Sequence, residues 1–201
     1  MRLAPQQARA LATRERLVDA ARAQLEAEGL RGTTTIAVAS RAGVSQGALF
    51  KHFATKTDLL VAAAEAALAA LVEGFRVELA ATQADPLDAR VRAAVAGLWR
   101  VFRRPAMQGL FELYLAARTD EALGAALQPL MAAHHQRIHD EAGRCLPELA
   151  GLPALTLGVD AVVFAMQGVA LGLFTRDAPL EADLLSFFER LALHALNDAG
   201  A

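Results

Sequence analysis

Residues 33–60 read TTTIAVASRAGVSQGALFKHFATKTDLL, and this stretch decides the fold. Thr34 or Thr35 opens a short helix that ends near Ala42–Gly43, and Ser45 opens another that ends near Phe53. The link Ala42–Gly43–Val44–Ser45 is tight for physical reasons. Gly43 accepts the left-handed backbone that an interhelical turn needs. Val44 is a small apolar plug, Ala39 lets the helices cross closely, and Ser45 satisfies free N–H groups at the next helix start. Two short helices joined in this way make a helix-turn-helix. Leu49 and Phe53, four apart, face the core, which leaves Gln46, Gly47, Phe50, Lys51 and His52 to point away. Such a short helix fits a DNA major groove, where an amide reads an adenine edge and a cation holds phosphate or guanine.

Outward from this segment the pattern stays helical. Ala and Leu dominate, no stretch alternates with a strand period, and Gly and Pro punctuate the chain. Thr13 is read as the cap of a first helix over about Arg14–Glu28, with Leu17, Ala21 and Leu25 on one face and Gly29 as its stop. Thr55 begins a long fourth helix, to about Ala80, with Asp58 completing a capping-box-like start. A fifth helix is expected over about Leu87–Arg103, a sixth over Ala106–Ala117, and a seventh from Glu121 to about Cys145 with a possible kink at Pro129. An eighth follows over Ala154–Thr175, and a ninth is entered at Pro179 and ends near Ala195. The fold class is therefore all-α with about nine helices.

The chain has 201 residues, 55% of them apolar and 21% charged, enough to bury a sizeable core. One cysteine, Cys145, excludes a disulfide framework and any zinc site built on a cysteine pair. The most apolar stretch, Ala161–Phe174, falls short of the roughly 20 residues that cross a bilayer. No secretory leader is evident, so a cytoplasmic protein is expected. Net charge is −2, yet residues 1–60 carry nine Lys and Arg against five acids, and both lysines of the chain stand at 51 and 56. A basic N-terminal third on an acidic body points one end at a polyanion.

Arg14 to Leu60 resembles the DNA-binding domain of the TetR family of bacterial transcriptional regulators. The likeness runs through Leu17, Val18, Ala20, Ala21 and Leu25, then Gly29, Thr33–Thr34, Val38–Ala39, Ala42–Gly43–Val44–Ser45, Gly47, Leu49–Phe50, His52–Phe53, Lys56 and Leu59–Leu60. It implies a helix-turn-helix DNA-binding domain of three helices over residues 1–54, followed by a helical ligand-binding and dimerisation domain over 55–201. Thr34 and Thr35 would bond phosphate oxygens. Ser45, Gln46 and Gly47 would lie at the groove, with Gln46 reading a base, while Lys51 and His52 meet phosphate or base edges. Lys56 would bind phosphate at the fourth helix's N-terminus. Three positions depart from the family pattern. Phe50 stands where Tyr is common, leaving an apolar contact or a place inside the domain. Gln46 is uncharged where a basic residue is frequent, and Asp58 replaces the usual Glu.

The body carries two further expectations. In the eighth helix Gly158, Ala161, Ala165, Gly168 and Gly172 form a stripe of small residues beside Val159, Val162, Met166, Val169 and Leu173. In the ninth, Leu184, Phe187, Phe188, Leu191 and Ala195 form an apolar face. Two such helices from each subunit would make an isologous four-helix homodimer interface, and the resemblance points to the same pair. Trp99, Phe102, Met107, Phe111 and Tyr114 cluster in helices five and six, and Phe164, Met166 and Gln167 are expected to reach inward from helix eight. With the polar groups of Gln108, Glu112, His134 and Gln167 they describe either ordinary core or a pocket for an apolar effector, aromatic or hydrophobic and cationic.

His134, His135 and His139 raise a metal reading, because His135 and His139 lie one turn apart. No Cys or carboxylate at a compelling spacing completes the set, although Asp140 and Cys145 are near in sequence, so a polar face or pocket edge is preferred. No metal and no cofactor is expected. An enzyme is disfavoured, since no nucleophile motif, Gly-rich phosphate loop or paired carboxylate is present. A ligand carrier with a degenerate helix-turn-helix is countered by the intact Gly43, Ser45, Lys51 and Lys56. The expected function is a ligand-responsive regulator, most simply a repressor. As a dimer it would bind a palindromic double-stranded operator, and a small apolar effector would release it.

Overall fold

The computed structural model describes residues 5–172 and 178–199. Among them the regular structure is helical: α1 (Pro5–Gly32), α2 (Thr35–Arg41), α3 (Gln46–Phe50), α4 (Lys56–Ala80), α5 (Leu87–Phe102), α6 (Pro105–Ala117), α7 (Glu121–Cys145), α8 (Pro153–Ala170) and α9 (Ala178–Ala199), with a 3-10 turn at Pro147–Leu149. Positions 173–175, expected at the end of the eighth helix and including Leu173, lie outside the described residues.

Two expectations near the N-terminus are corrected. Thr13 is inside α1 rather than at its start, and its hydroxyl donates to the Arg9 carbonyl at 3.0 Å. The Ala-, Gln- and Arg-rich segment before it has enough helix propensity to continue the helix, and a threonine bonded back to position i−4 is accommodated there. Gly29 does break the helical backbone (φ 66°, ψ −173°), but one more turn follows it. Pro129 sits inside α7 without ending it.

The chain forms two compact units, Met1–Ala70 with Pro105–Ala132, and Leu71–Arg104 with Ala133–Ala201. The division between these units falls within α4 and α7, because α6 packs along α1. Gly109 lets the two backbones approach: a Cβ there would meet Leu25 Cγ at 2.7 Å. The Glu112 carboxylate of α6 then accepts the Leu30 N–H, left without a helical partner beyond Gly29, at 2.6 Å. Glu112, expected among the polar groups of a pocket, is thus a tie between α6 and the end of α1.

In the first unit Leu17, Ala21, Val38, Ala39, Leu49, Phe53, Leu59 and Ala63 make a closed core under the helix-turn-helix. In the second unit α5, α8 and α9 pack together around Leu79, Val91, Cys145, Leu146, Leu149 and Leu155. Arg90 is buried beside this core. Both oxygens of Glu148 accept from it at 2.6 and 3.1 Å, and so does the Cys145 carbonyl. A buried guanidinium needs such partners, since an isolated charge there would be costly.

The window Pro153–Ala170 meets the length and composition of a membrane span, with mean hydropathy 1.5 and 22% of it buried. The sequence expectation undercounted because the apolar run begins before Ala161, at Leu155 and Leu157. On this helix Leu157 and Phe164 are 72% and 60% exposed. Phe164 is therefore corrected from an inward-reaching residue to an outward one.

Candidate DNA-binding site

Local hydrogen bonds and one left-handed turn shape the helix-turn-helix. Thr34 caps α2, its side chain accepting the Ala37 N–H at 3.1 Å. Ser45 caps α3 in the same way with the Ala48 N–H at 3.1 Å. Gly43 has φ 66° and supplies the left-handed turn between them. The start of α4 is a reciprocal capping box. The Thr55 N–H donates to Asp58 Oδ2 at 2.9 Å, and the Asp58 N–H donates to Thr55 Oγ1 at 3.0 Å. Asp reaches far enough here to do what Glu does in the commoner box.

These caps set the direction of α3. Leu49 and Phe53 are buried, at 0% and 3% exposure. The opposite side presents Ser45, Gln46, Gly47, Phe50 and Lys51 to solvent, with His52 partly covered. Phe50 is 46% exposed, which decides between its two sequence readings in favour of the outward one. The α3 helix is shorter than expected, ending at Phe50. Residues 51–53 continue as a turn in which the Phe53 N–H still donates to the Leu49 carbonyl at 3.0 Å.

Around this face the first unit supplies further groups. Gln46 Nε2 donates to Thr35 Oγ1 at 2.9 Å, tying the exposed ends of α2 and α3. Thr34 and Lys56 are exposed, and Lys56 is the first residue of α4, where free N–H groups and the helix dipole favour an anion. Arg14 lies 5.0 Å over the Phe53 ring, so the cation stacks on an aromatic face at the edge of the domain core. Ile36, 67% exposed on α2, is an apolar neighbour that sequence reading did not single out.

The residues expected to contact an effector divide between the units. Met107 and Phe111 are buried in the first, where Tyr114 is half-buried and burial pushes its phenol up from its ordinary range. Trp99 and Phe102 are buried in the second. The Trp99 indole N–H donates to Glu181 at 3.0 Å, and Arg103 donates to the same carboxylate at 2.6 Å, fastening α5 to α9. His134 and Gln167 are half-buried in the second unit. Burial, helped by the nearby Arg137 and His135, lowers the His134 pKa to about 4, so its imidazole is neutral near pH 7. Its Nδ1 is buried without a hydrogen-bond partner.

Comparison with known proteins converges on one family. Residues 17–63 match the model for bacterial regulatory proteins of the tetR family. The chain is 35% identical over 154 residues to an uncharacterized HTH-type transcriptional regulator of Mycobacterium tuberculosis (strain H37Rv), covering 77% of each chain. Among solved structures, the multidrug binding protein EbrR complexed with imidazole is 26% identical, with TM-score 0.65 over 90% of this chain and 93% of that one. The same protein complexed with proflavin is 25% identical, with TM-score 0.62 over 91% and 99%. A TetR-family regulator from Mesorhizobium loti, at 15% identity, has TM-score 0.68 over 95% and 96%, and shares the fold.

Proposed function

This chain belongs to the TetR family of bacterial regulatory proteins, as a transcriptional regulator and not an enzyme, and from that premise we propose that it is a repressor. As a cytoplasmic homodimer it holds a palindromic operator, and a small apolar effector releases it. The observation that carries the reading is the exposed face Ser45–Gln46–Gly47–Phe50–Lys51, held outward by buried Leu49 and Phe53. Gln46 reads a base edge, and Phe50 makes an apolar contact such as one with a thymine methyl. Thr34, Thr35, Lys51, His52 and Lys56 hold the phosphate backbone and base edges. One helix of this length binds weakly, whereas two related by a two-fold axis read successive major grooves.

The pairing surface is the exposed apolar side of α8 and α9, where Leu157, Phe164, Phe187 and Leu191 are 72%, 60%, 51% and 40% exposed. Gly158 and Gly168 have open space where a Cβ would stand, so a partner helix can approach closely. That this apolar face meets a second subunit rather than lipid is supported by the family.

Within the first unit the proposed effector contacts are Tyr114 with Met107 and Phe111, and within the second they are His134 and Gln167 with Trp99 and Phe102. EbrR, whose complexes include proflavin, a planar aromatic cation, supports an aromatic or hydrophobic cationic effector. The helix α4 carries the chain from the first unit into the second. An effector that binds the DNA-incompetent arrangement more tightly would move α4 and spoil the spacing of the two α3 helices.

The test is retardation of the DNA upstream of the protein's own gene. Binding is expected at low salt and is expected to weaken steeply as salt rises. Failure to retard that DNA at low salt overturns the reading.

A further inference from the structure

The helix α7 carries His135 and His139 one turn apart, and α8 carries Asp160, 21 residues further on from His139. All three belong to the second compact unit. Asp160 Oδ1 lies 2.8 Å from His135 Nε2 and 2.9 Å from His139 Nε2, and the two Nε2 atoms are 3.3 Å apart. The rings meet edge to face, with centroids 4.6 Å apart and planes at 76°, so both Nε2 atoms converge on one carboxylate oxygen. Asp160 is the carboxylate that local sequence spacing could not supply.

We propose that His135, His139 and Asp160 form a binding site for a divalent transition-metal cation of the zinc, cobalt or nickel class. Such a cation sits about 2.0–2.1 Å from imidazole nitrogen and carboxylate oxygen. At that radius neighbouring ligand atoms are about 2.9 Å apart in right-angled coordination and about 3.3 Å apart in a tetrahedron. The triangle with edges of 2.8, 2.9 and 3.3 Å is therefore one face of such a polyhedron with little rearrangement.

The donor set excludes calcium and magnesium, which take oxygen ligands, and two imidazoles with one carboxylate suit the later first-row ions. Access is also built in. The side chain of His135 is 51% exposed, while His139 is 15% and Asp160 28% exposed, so the site opens on one side to solvent and leaves room for water to complete the coordination. A bound cation would join the three side chains and clamp α7 to α8.

The inference does not depend on DNA binding, and its test reads no DNA. Metal-stripped full-length protein is titrated with Co2+, whose visible d–d absorption reports nitrogen and oxygen ligation. Saturation at one Co2+ per chain and displacement by Zn2+ are expected. His139→Ala and Asp160→Asn should each weaken the titration by about tenfold or more. The exposed His135→Gln should do the same, in a variant whose helical circular dichroism matches the parent. His194→Ala should leave the titration unchanged. Zn2+ is also expected to raise the Tm of the parent and not of His135→Gln, because a ligand of the folded state stabilises it. Absence of a saturable one-to-one spectrum overturns the site, and so does a spectrum that survives His139→Ala and Asp160→Asn.

Discussion

The duties proposed for two side chains on the exposed helix-turn-helix face are separable. Gln46 is held by Thr35 in the free protein, its amide donating to that hydroxyl at 2.9 Å, so reading a base edge requires exchanging that bond for one to DNA. Gln46→Ala is expected to relax base preference at a single operator position, by about 1–3 kcal/mol between the best and worst base, as checked by retardation of a set of operator variants. Lys56, at the N-terminus of α4, is proposed to contact only the backbone charge. Lys56→Ala should weaken every sequence alike and reduce the salt slope of binding by about one, which a salt titration of Kd measures. Cys145 tests the core of the second unit at the same scale. It is 8% exposed, and burial, with Glu141 nearby, pushes its thiol up. The thiolate is the reactive form, so the native protein should consume almost no aromatic disulfide reagent at about pH 8 and one equivalent once denatured. Much of this scale was legible in the sequence. The caps Thr34 and Ser45 and the Thr55–Asp58 box involve partners three residues away, and local chemistry decides them. Thr13 misled because a hydroxyl that caps one helix is equally able to bond back inside another.

At the scale of helices, the junction of α1 with α6 shows what local reading cannot supply. Gly29 was legible as a stop, but the acceptor for the freed Leu30 N–H is Glu112, 82 residues away. No spacing rule connects those two positions, and the same holds for His135 and Asp160, 25 residues apart. Glu112→Ala should cost the first unit about 1 kcal/mol, the low end for a charge-assisted hydrogen bond because the carboxylate is exposed. The Gly109–Leu25 approach is tighter and less forgiving. Gly109→Leu should destabilise by about 1–3 kcal/mol, since a side chain must displace Leu25 or part the helices. Urea denaturation of both variants, followed by helical circular dichroism, gives the two values. The order expected is Gly109→Leu well below Glu112→Ala, and the reverse order would mean that the polar tie, not the packing, sets the junction.

For the whole molecule, the number and order of helices among the described residues were legible, because Gly, Pro and capping residues punctuate a strongly helical composition. The compact units were not, because a boundary depends on which distant helices share a core, and α6 joins α1 although residues 71–104 lie between the two blocks. Assembly presents the same problem from outside. A chain that leaves Leu157 72% and Phe164 60% exposed on one apolar helix exposes a surface that water disfavours, and the proposed dimer covers it with a second copy of the same surface. Placing a charge there separates association from folding, because neither side chain is part of the buried core. Leu157→Arg with Phe164→Arg is therefore expected to sediment as a monomer with the helical content of the parent. If paired α3 helices account for operator affinity, this monomer should lose about 10²–10⁴-fold in binding to a palindrome while keeping its affinity for a half-site. A folded variant that remains dimeric would place the two-fold axis elsewhere. A monomer that still binds the palindrome at full strength would show that each α3 acts alone.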